Sequence, residues 1–307
     1  MCIRDRDTTE VDLTKPKRQV EGAGPLGTNQ KRGFYFHPLY AVNSDGVVQG
    51  VVDQVVWARE SIETKLTDAE KSKRRKQLCF EEKESCRWLD MQQSGEQIAR
   101  ANPETNYICV ADSEADIYEL FLEASSFPAN YHLLIRGCQS RVTTTVSEAG
   151  IAEESSINEA LEKVDFCFDK QIKVGRREQS ISVDDAVRNQ SRDARTATVS
   201  VRGTTVTLRG THRPGGSLEP VRLNIVEALE TAPPEGEDPV RWLLLTTLPI
   251  ETDEQLESIL QGYVRRWTIE TFFKTLKSGL KIEKLKYQKL DSYLTAFALL
   301  SIVAWRV

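Results

Sequence analysis

The chain has 307 residues, 39% of them hydrophobic and 28% charged, with a net charge of −5; that is room for one large domain or two ordinary ones, and an ordinary globular composition. Its six cysteines include no CxxC pair and its three histidines lack ligand spacing, which excludes a zinc-finger or disulfide framework and suggests a reducing compartment. The longest apolar run, residues 294–305, is too short for a bilayer span of about 20 residues, and the charged first residues do not read as a secretory leader.

In chain order, residues 7–13 mix Thr and Val with polar residues in a strand-like way. Residues 33–43 (GFYFHPLYAVN) and 47–59 (VVQGVVDQVVWAR) are rich in Val and aromatics, as strands prefer. The turn signal Asn43-Ser44-Asp45-Gly46 between them predicts a hairpin. Residues 60–83 are highly charged and read as a solvent-exposed excursion. Residues 85–102 form a helical pattern that ends before Pro103. A short apolar run, 107–111 (YICVA), leads into acidic residues; 116–125 reads as an amphipathic helix and 131–136 (YHLLIR) as a strand. Strands alternating with helices predict a mixed α/β sheet. From about residue 139 the chain becomes rich in Thr, Val, Arg and Ser, with predicted strands at 196–201, 205–209 and 221–228. Turns fall at Pro214-Gly215-Gly216 and Pro233-Pro234, so this stretch reads as a β-rich insertion. Residues 242–246 (WLLLT) return to the core. One long amphipathic helix is predicted over 253–279 and a second, mostly apolar one over 291–307. The predicted division is 1–138 for the first part of the core, 139–240 for the insertion and 241–307 for the last part of the core.

The overall acidic balance argues mildly against a nucleic-acid partner, but the charge is unevenly spread. Residues 263–289 carry eight Lys or Arg against two Asp or Glu, and residues 171–213 carry nine against four. Within the first of these lies Tyr263-x2-Arg266-x3-Glu270-x6-Lys277. At about 100° per residue on a helix, the last three fall at about −60°, −20° and −40° from Tyr263, with Lys274 at about +20°. One stripe would then present a carboxylate for a divalent metal, three cations for phosphate oxygens and a phenol to hydrogen-bond another phosphate oxygen. The same stripe also reads as a solvated helix face laced with i,i+4 pairs between Glu270 and Arg266 or Lys274. Trp267, Ile269, Phe272, Phe273 and Leu276 are expected to form its buried side.

Tyr263, Arg266, Glu270 and Lys277 match the Y-(2)-R-(3)-E-(6)-K signature of bacterial cut-and-paste DDE transposases of the insertion-sequence-four type, which this chain resembles. Residues 7–12 (DTTEVD) resemble the segment around that family's first catalytic Asp, and 110–116 (VADSEAD) the segment around the second. Residues 241–249 (RWLLLTTLP) are similar to the strand that leads back from its insertion. The resemblance covers nearly all of the chain. It implies a ribonuclease-H-like mixed sheet with flanking helices, interrupted by a β-rich insertion before the last catalytic helix. It implies Asp7, Asp112 and Glu270 as catalytic residues and ligands of two Mg2+ or Mn2+ ions. Asp112 is preferred to Glu114 and Asp116, the latter also reading as a helix N-cap. Tyr263, Arg266, Lys274 and Lys277 are the implied phosphate contacts. Arg136 resembles a phosphate-contacting Arg of the family and reads equally as half of a surface ion pair. Trp242 resembles a tryptophan used near a flipped base and reads equally as a core residue.

The implied partners are double-stranded DNA, as transposon ends and target, in a homodimeric complex without a membrane. The implied location is the bacterial cytoplasm, at the nucleoid. The implied activity is strand cleavage and strand transfer through a hairpin intermediate. The alternatives are a nuclease of the same fold without joining activity, and a non-catalytic DNA-binding remnant. Residues 1–6 are more charged than a central strand should be. No N-terminal end-binding domain and no C-terminal dimerisation segment is visible. The chain is therefore expected to be a core fragment that needs such segments for end-specific excision.

Overall fold

The computed structural model describes all residues except 1, 16–18, 28–29, 61–66, 147–151, 178–179, 182–186 and 190. They form two compact units. The first comprises Met1–Leu133, Thr211–Leu218 and Gln261–Val307, and the second Leu134–Gly210 and Glu219–Leu260.

The strands of the first unit are β1 (Cys2–Arg6), β2 (Thr9–Asp12), β3 (Arg32–Asn43), β4 (Val48–Trp57) and β5 (Tyr107–Ala111). It also contains the start of β6 (Tyr131–Arg136). The strand order is β4-β3-β1-β5-β6, with β2 also on β3. β1 runs antiparallel to β3 and parallel to β5, so the sheet is mixed, as expected of a ribonuclease-H-like core. The β3–β4 hairpin forms where the turn signal stands. The Asn43 side chain accepts from the Asp45 and Val47 amides at 2.9 and 2.8 Å, and Gly46 supplies a φ of 84°. The helices are α1 (Asp68–Gln77), α2 (Cys86–Ala101) and α3 (Tyr118–Glu123). α1 lies within the charged excursion, whose residues 61–66 are outside the described residues.

β3 is buried along nearly its whole length, as a strand covered on both faces must be. Successive side chains go to opposite faces. Phe34, Phe36 and Tyr40 meet aromatic residues of the C-terminal helices, while Tyr35 stacks on Trp57 and His37 meets Trp88 edge-on.

The second unit carries the end of β6 with β7 (Val142–Val146), β8 (Ala152–Ser156), β9 (Phe168–Val174), β10 (Arg195–Leu208), β11 (Val221–Leu229) and β12 (Arg241–Thr246), the short helix α4 (Ile157–Glu162) and most of the helix that begins at Asp253. The order is β6-β12-β11-β10-β7-β8, with β9 on β10. The sequence predicts two strands over 196–209; the structure has one of 14 residues running through Gly203. A Cβ at Gly203 would stand 2.8 Å from Leu256 Cδ2 and 3.3 Å from the Ile225 carbonyl. The glycine marks close packing rather than a turn.

The predicted helix over 253–279 is in fact three pieces: α5 (Asp253–Val264), α6 (Trp267–Lys274) and a π-helical turn, Thr275–Gly279. At the joint the Arg266, Thr268 and Ile269 amides donate three residues back instead of four. The Thr268 hydroxyl donates to the Arg265 carbonyl at 2.7 Å, competing with the helix ladder. The chain ends in α7 (Leu290–Arg306). No helix among the described residues is long and apolar enough to cross a membrane.

Candidate active site

The parallel pairing of β1 and β5 sets Arg6 beside Ala111. One step further, at the C-terminal ends of both strands, Asp7 stands beside Asp112. In-register neighbours on parallel strands lie about 4.8 Å apart and point to the same face, so the fold brings two carboxylates together across 105 residues of chain. Asp7 Oδ1 accepts from the Thr8 amide at 2.7 Å, and Asp112 Oδ1 accepts from the Glu114 amide at 2.8 Å.

The third carboxylate arrives on α6, which is seated by aromatic packing. Ile269, Phe272 and Phe273 are buried. Phe272 stacks on Tyr40 with centroids 4.8 Å apart, and Phe273 meets Phe36 at 6.2 Å. Both partners lie on β3, next to β1, whose last residue precedes Asp7. Arg266 closes the arrangement. Its Nη2 donates to Glu270 Oε1 at 2.7 Å and its Nη1 to Asp7 Oδ2 at 3.5 Å.

Electrostatics reflect this crowding. Burial, and then the neighbouring charge of Asp112, push the Asp7 carboxyl from its ordinary 3.8 up to about 7, against the opposing pull of Arg266. Glu114 is also raised, by burial first and then by Asp112. Among the described residues no three His, Cys, Asp or Glu side chains stand close enough to hold a metal ion together. Two adjacent carboxylates nonetheless fit a hard divalent cation, whose preferred ligands are such oxygens. Arg266 is the cation that links Asp7 to Glu270 here.

The other predicted residues are distributed as follows. Tyr263 is buried, with the Arg266 guanidinium 6.0 Å from its ring centroid. Lys274 is exposed and Lys277 half-buried on the π turn. The single stripe computed for an unbroken α-helix is thereby corrected, because the tightened joint and the wider π turn change the angle per residue. Trp267, expected on the buried side, is 63% exposed. Arg136 and Trp242 belong to the second unit. Arg136 Nη2 lies 3.5 Å from the Arg241 carbonyl. Trp242, on β12, is half-buried and stands opposite Ala228 of β11. The sequence reading passed over Thr8 and His37. The signal for His37 was a lone imidazole beside a proline in an otherwise apolar, aromatic strand.

A family model described as a transposase DDE domain matches residues 91–305, well over half of the chain. The chain belongs to this family of DDE transposases. The matched residues include Asp112 and Glu270 and leave Asp7 outside. Among solved structures the chain is similar to the piggyBac transposase in a synaptic complex with hairpin DNA, at 7% identity and a TM-score of 0.41. That likeness covers 98% of this chain and 45% of the piggyBac chain, so the chain spans less than half the length of that protein.

Proposed function

We propose that this chain is the catalytic core of a cut-and-paste transposase of the insertion-sequence-four type, cleaving DNA strands and joining the freed 3′-ends to a target. The observation that carries this reading is the parallel pairing of β1 with β5, which ends at Arg6 and Ala111 and so leaves Asp7 and Asp112 as neighbouring next residues, with Glu270 tied to Asp7 through Arg266. In the proposal these three carboxylates hold divalent ions, two Mg2+ or Mn2+. Bound there, such ions would activate water or a 3′-hydroxyl and stabilise the leaving oxygen.

The chain's own residues supply the rest. Arg266, which here pairs with Asp7 and Glu270, would with metal on those carboxylates be free to present its planar fork to a phosphate. In the proposal Lys274 and Lys277 add positive charge for the DNA backbone, and buried Tyr263 packs near the Arg266 guanidinium. In the second unit Arg136 contacts the DNA backbone and Trp242 a displaced base. The DNA partner is double-stranded, as transposon ends and target, and the working complex is a homodimer in the bacterial cytoplasm.

Titrating Mn2+ into the parent chain and into Glu270→Gln by calorimetry tests the metal site: binding should weaken at least tenfold in the variant, and equal affinity would remove Glu270 from it. Mg2+-dependent nicking of supercoiled plasmid should vanish in Asp112→Ala. Nicking without any joined 3′-ends would favour the nuclease alternative, and absence of nicking the DNA-binding remnant.

A further inference from the structure

β1 and β2 pair with β3 in one unbroken register. Arg6 faces Leu39 and Thr9 faces Phe36, so Asp7 falls opposite Pro38 and Thr8 opposite His37. The two strands are one strand whose ladder lapses at Asp7 and Thr8. The cause lies in β3. Further along, the Leu13 amide donates to the Arg32 carbonyl at 2.8 Å, which puts the odd-numbered residues of this strand in hydrogen-bonded pairs. One of the two bonds of the rung at Asp7 therefore needs an amide proton from residue 38, and proline has none.

The ladder with β3 thus lapses at the residue whose carboxylate sits beside Asp112. Side chains replace the lost rung. In the next, non-hydrogen-bonded pair the side chains approach most closely, and there Thr8 Oγ1 and His37 Nδ1 share a hydrogen bond at 2.9 Å. His37 is 1% exposed, its ring held edge-on against Trp88 at 4.4 Å. Thr8 in turn donates its amide to Asp7 Oδ1 at 2.7 Å, while Oδ2 faces Arg266.

We propose that His37 is a positioning residue for Asp7: by fixing Thr8 it stands in for the rung that Pro38 cannot make, holds one carboxylate oxygen on the Thr8 amide and leaves the other aimed at a cation. This rests on the reading above that Asp7 is a metal ligand. Packing against Trp88 needs only a ring of this size; the Nδ1 contact to Thr8 is what the packing does not require.

The test uses the full chain with His37→Phe, which keeps a ring against Trp88, and Thr8→Val and Thr8→Ser, which remove and keep the hydroxyl. Mn2+ affinity by calorimetry should fall by about tenfold to a hundredfold in His37→Phe and Thr8→Val, the loss usual for a group that orients a metal ligand, and stay near parent in Thr8→Ser. Amide hydrogen exchange at Thr8 should speed up in His37→Phe by a factor on the order of ten, with exchange along β3 unchanged. A folded His37→Phe protein with parental Mn2+ affinity, or with unaltered exchange at Thr8, overturns the inference; if His37→Phe does not fold, parental affinity in Thr8→Val does so. A parent chain that takes up no Mn2+ counts against the proposed function instead, and exchange at Thr8 then decides the role of His37 by itself.

Discussion

Burial and the charge of Asp112 both disfavour ionised Asp7, and an Arg266 nitrogen at 3.5 Å offsets only part of that. A carboxylate raised to about 7 by its surroundings is a strained group, and neutralising it relieves the strain. Asp7→Asn keeps the side-chain shape and an oxygen for the Thr8 amide. Each pKa unit corresponds to about 1.4 kcal/mol, so after relaxation we expect Asp7→Asn to raise stability by about 2 kcal/mol in divalent-free buffer at neutral pH. Urea denaturation reads the gain and the nicking assay the loss of activity; an Asn variant less stable than the parent would mean that Asp7 is not strained. The pairing of Arg266 with Glu270 was legible in the sequence because the two stand four residues apart. Thr8 and His37 were not, since the contact between them exists only through the register of two strands separated by 28 intervening residues.

The helix α2 shows how packing reverses an intrinsic preference. A glycine inside a helix costs about 1 kcal/mol relative to alanine, so Gly95→Ala ought to stabilise the chain. A Cβ at Gly95, however, would stand 2.3 Å from the Tyr131 hydroxyl and 3.0 Å from its ring. Tyr131 is 2% exposed and donates to the Gln92 carbonyl at 3.0 Å, so it has little room to withdraw. Overpacking of about 1–3 kcal/mol plus a lost buried hydrogen bond outweigh the propensity gain. The expected net effect is a destabilisation of about 2 kcal/mol, seen as a lower melting temperature; a higher one would show that Tyr131 moves aside freely. The same logic separates what the pattern revealed of the elements from what it hid. Strand and helix identities in the first unit followed from periodicity and from Pro103 and Gly46. The joint at Arg265–Arg266 and the π turn are invisible to a fixed 100° rotation, because they arise from Thr268 bonding backward and from the seating of Phe272 and Phe273 on β3.

Across the whole chain the net charge of −5 says little about how the charges are arranged, because many carboxylates and guanidinium groups are taken up in pairs with each other. Glu227 is 1% exposed and accepts from Arg202 and Arg241, and Glu119 accepts from Arg213. In the second unit Arg195 binds buried Glu230 through both terminal nitrogens, at 2.5 and 2.9 Å, and Glu237 through Nε at 2.8 Å. The Val240 amide also donates to Glu230 at 3.0 Å. Arg195 first, and then that amide, hold the Glu230 carboxyl below its ordinary 4.5. A group depressed in the folded state contributes stability that is complete above its unfolded value and is lost as pH falls through the folded one. The second unit should therefore weaken on acidification below about pH 4.5. Arg195→Met leaves Glu230 a buried charge without its guanidinium, so it should cost about 3 kcal/mol at neutral pH. By about pH 3, where protonation removes the orphaned charge, most of that cost should disappear. Amide exchange in β10 and β11, followed at both pH values, separates this from a general loss of packing: a cost that is the same at both would mean that Arg195 supports the unit by its bulk and not by its charge.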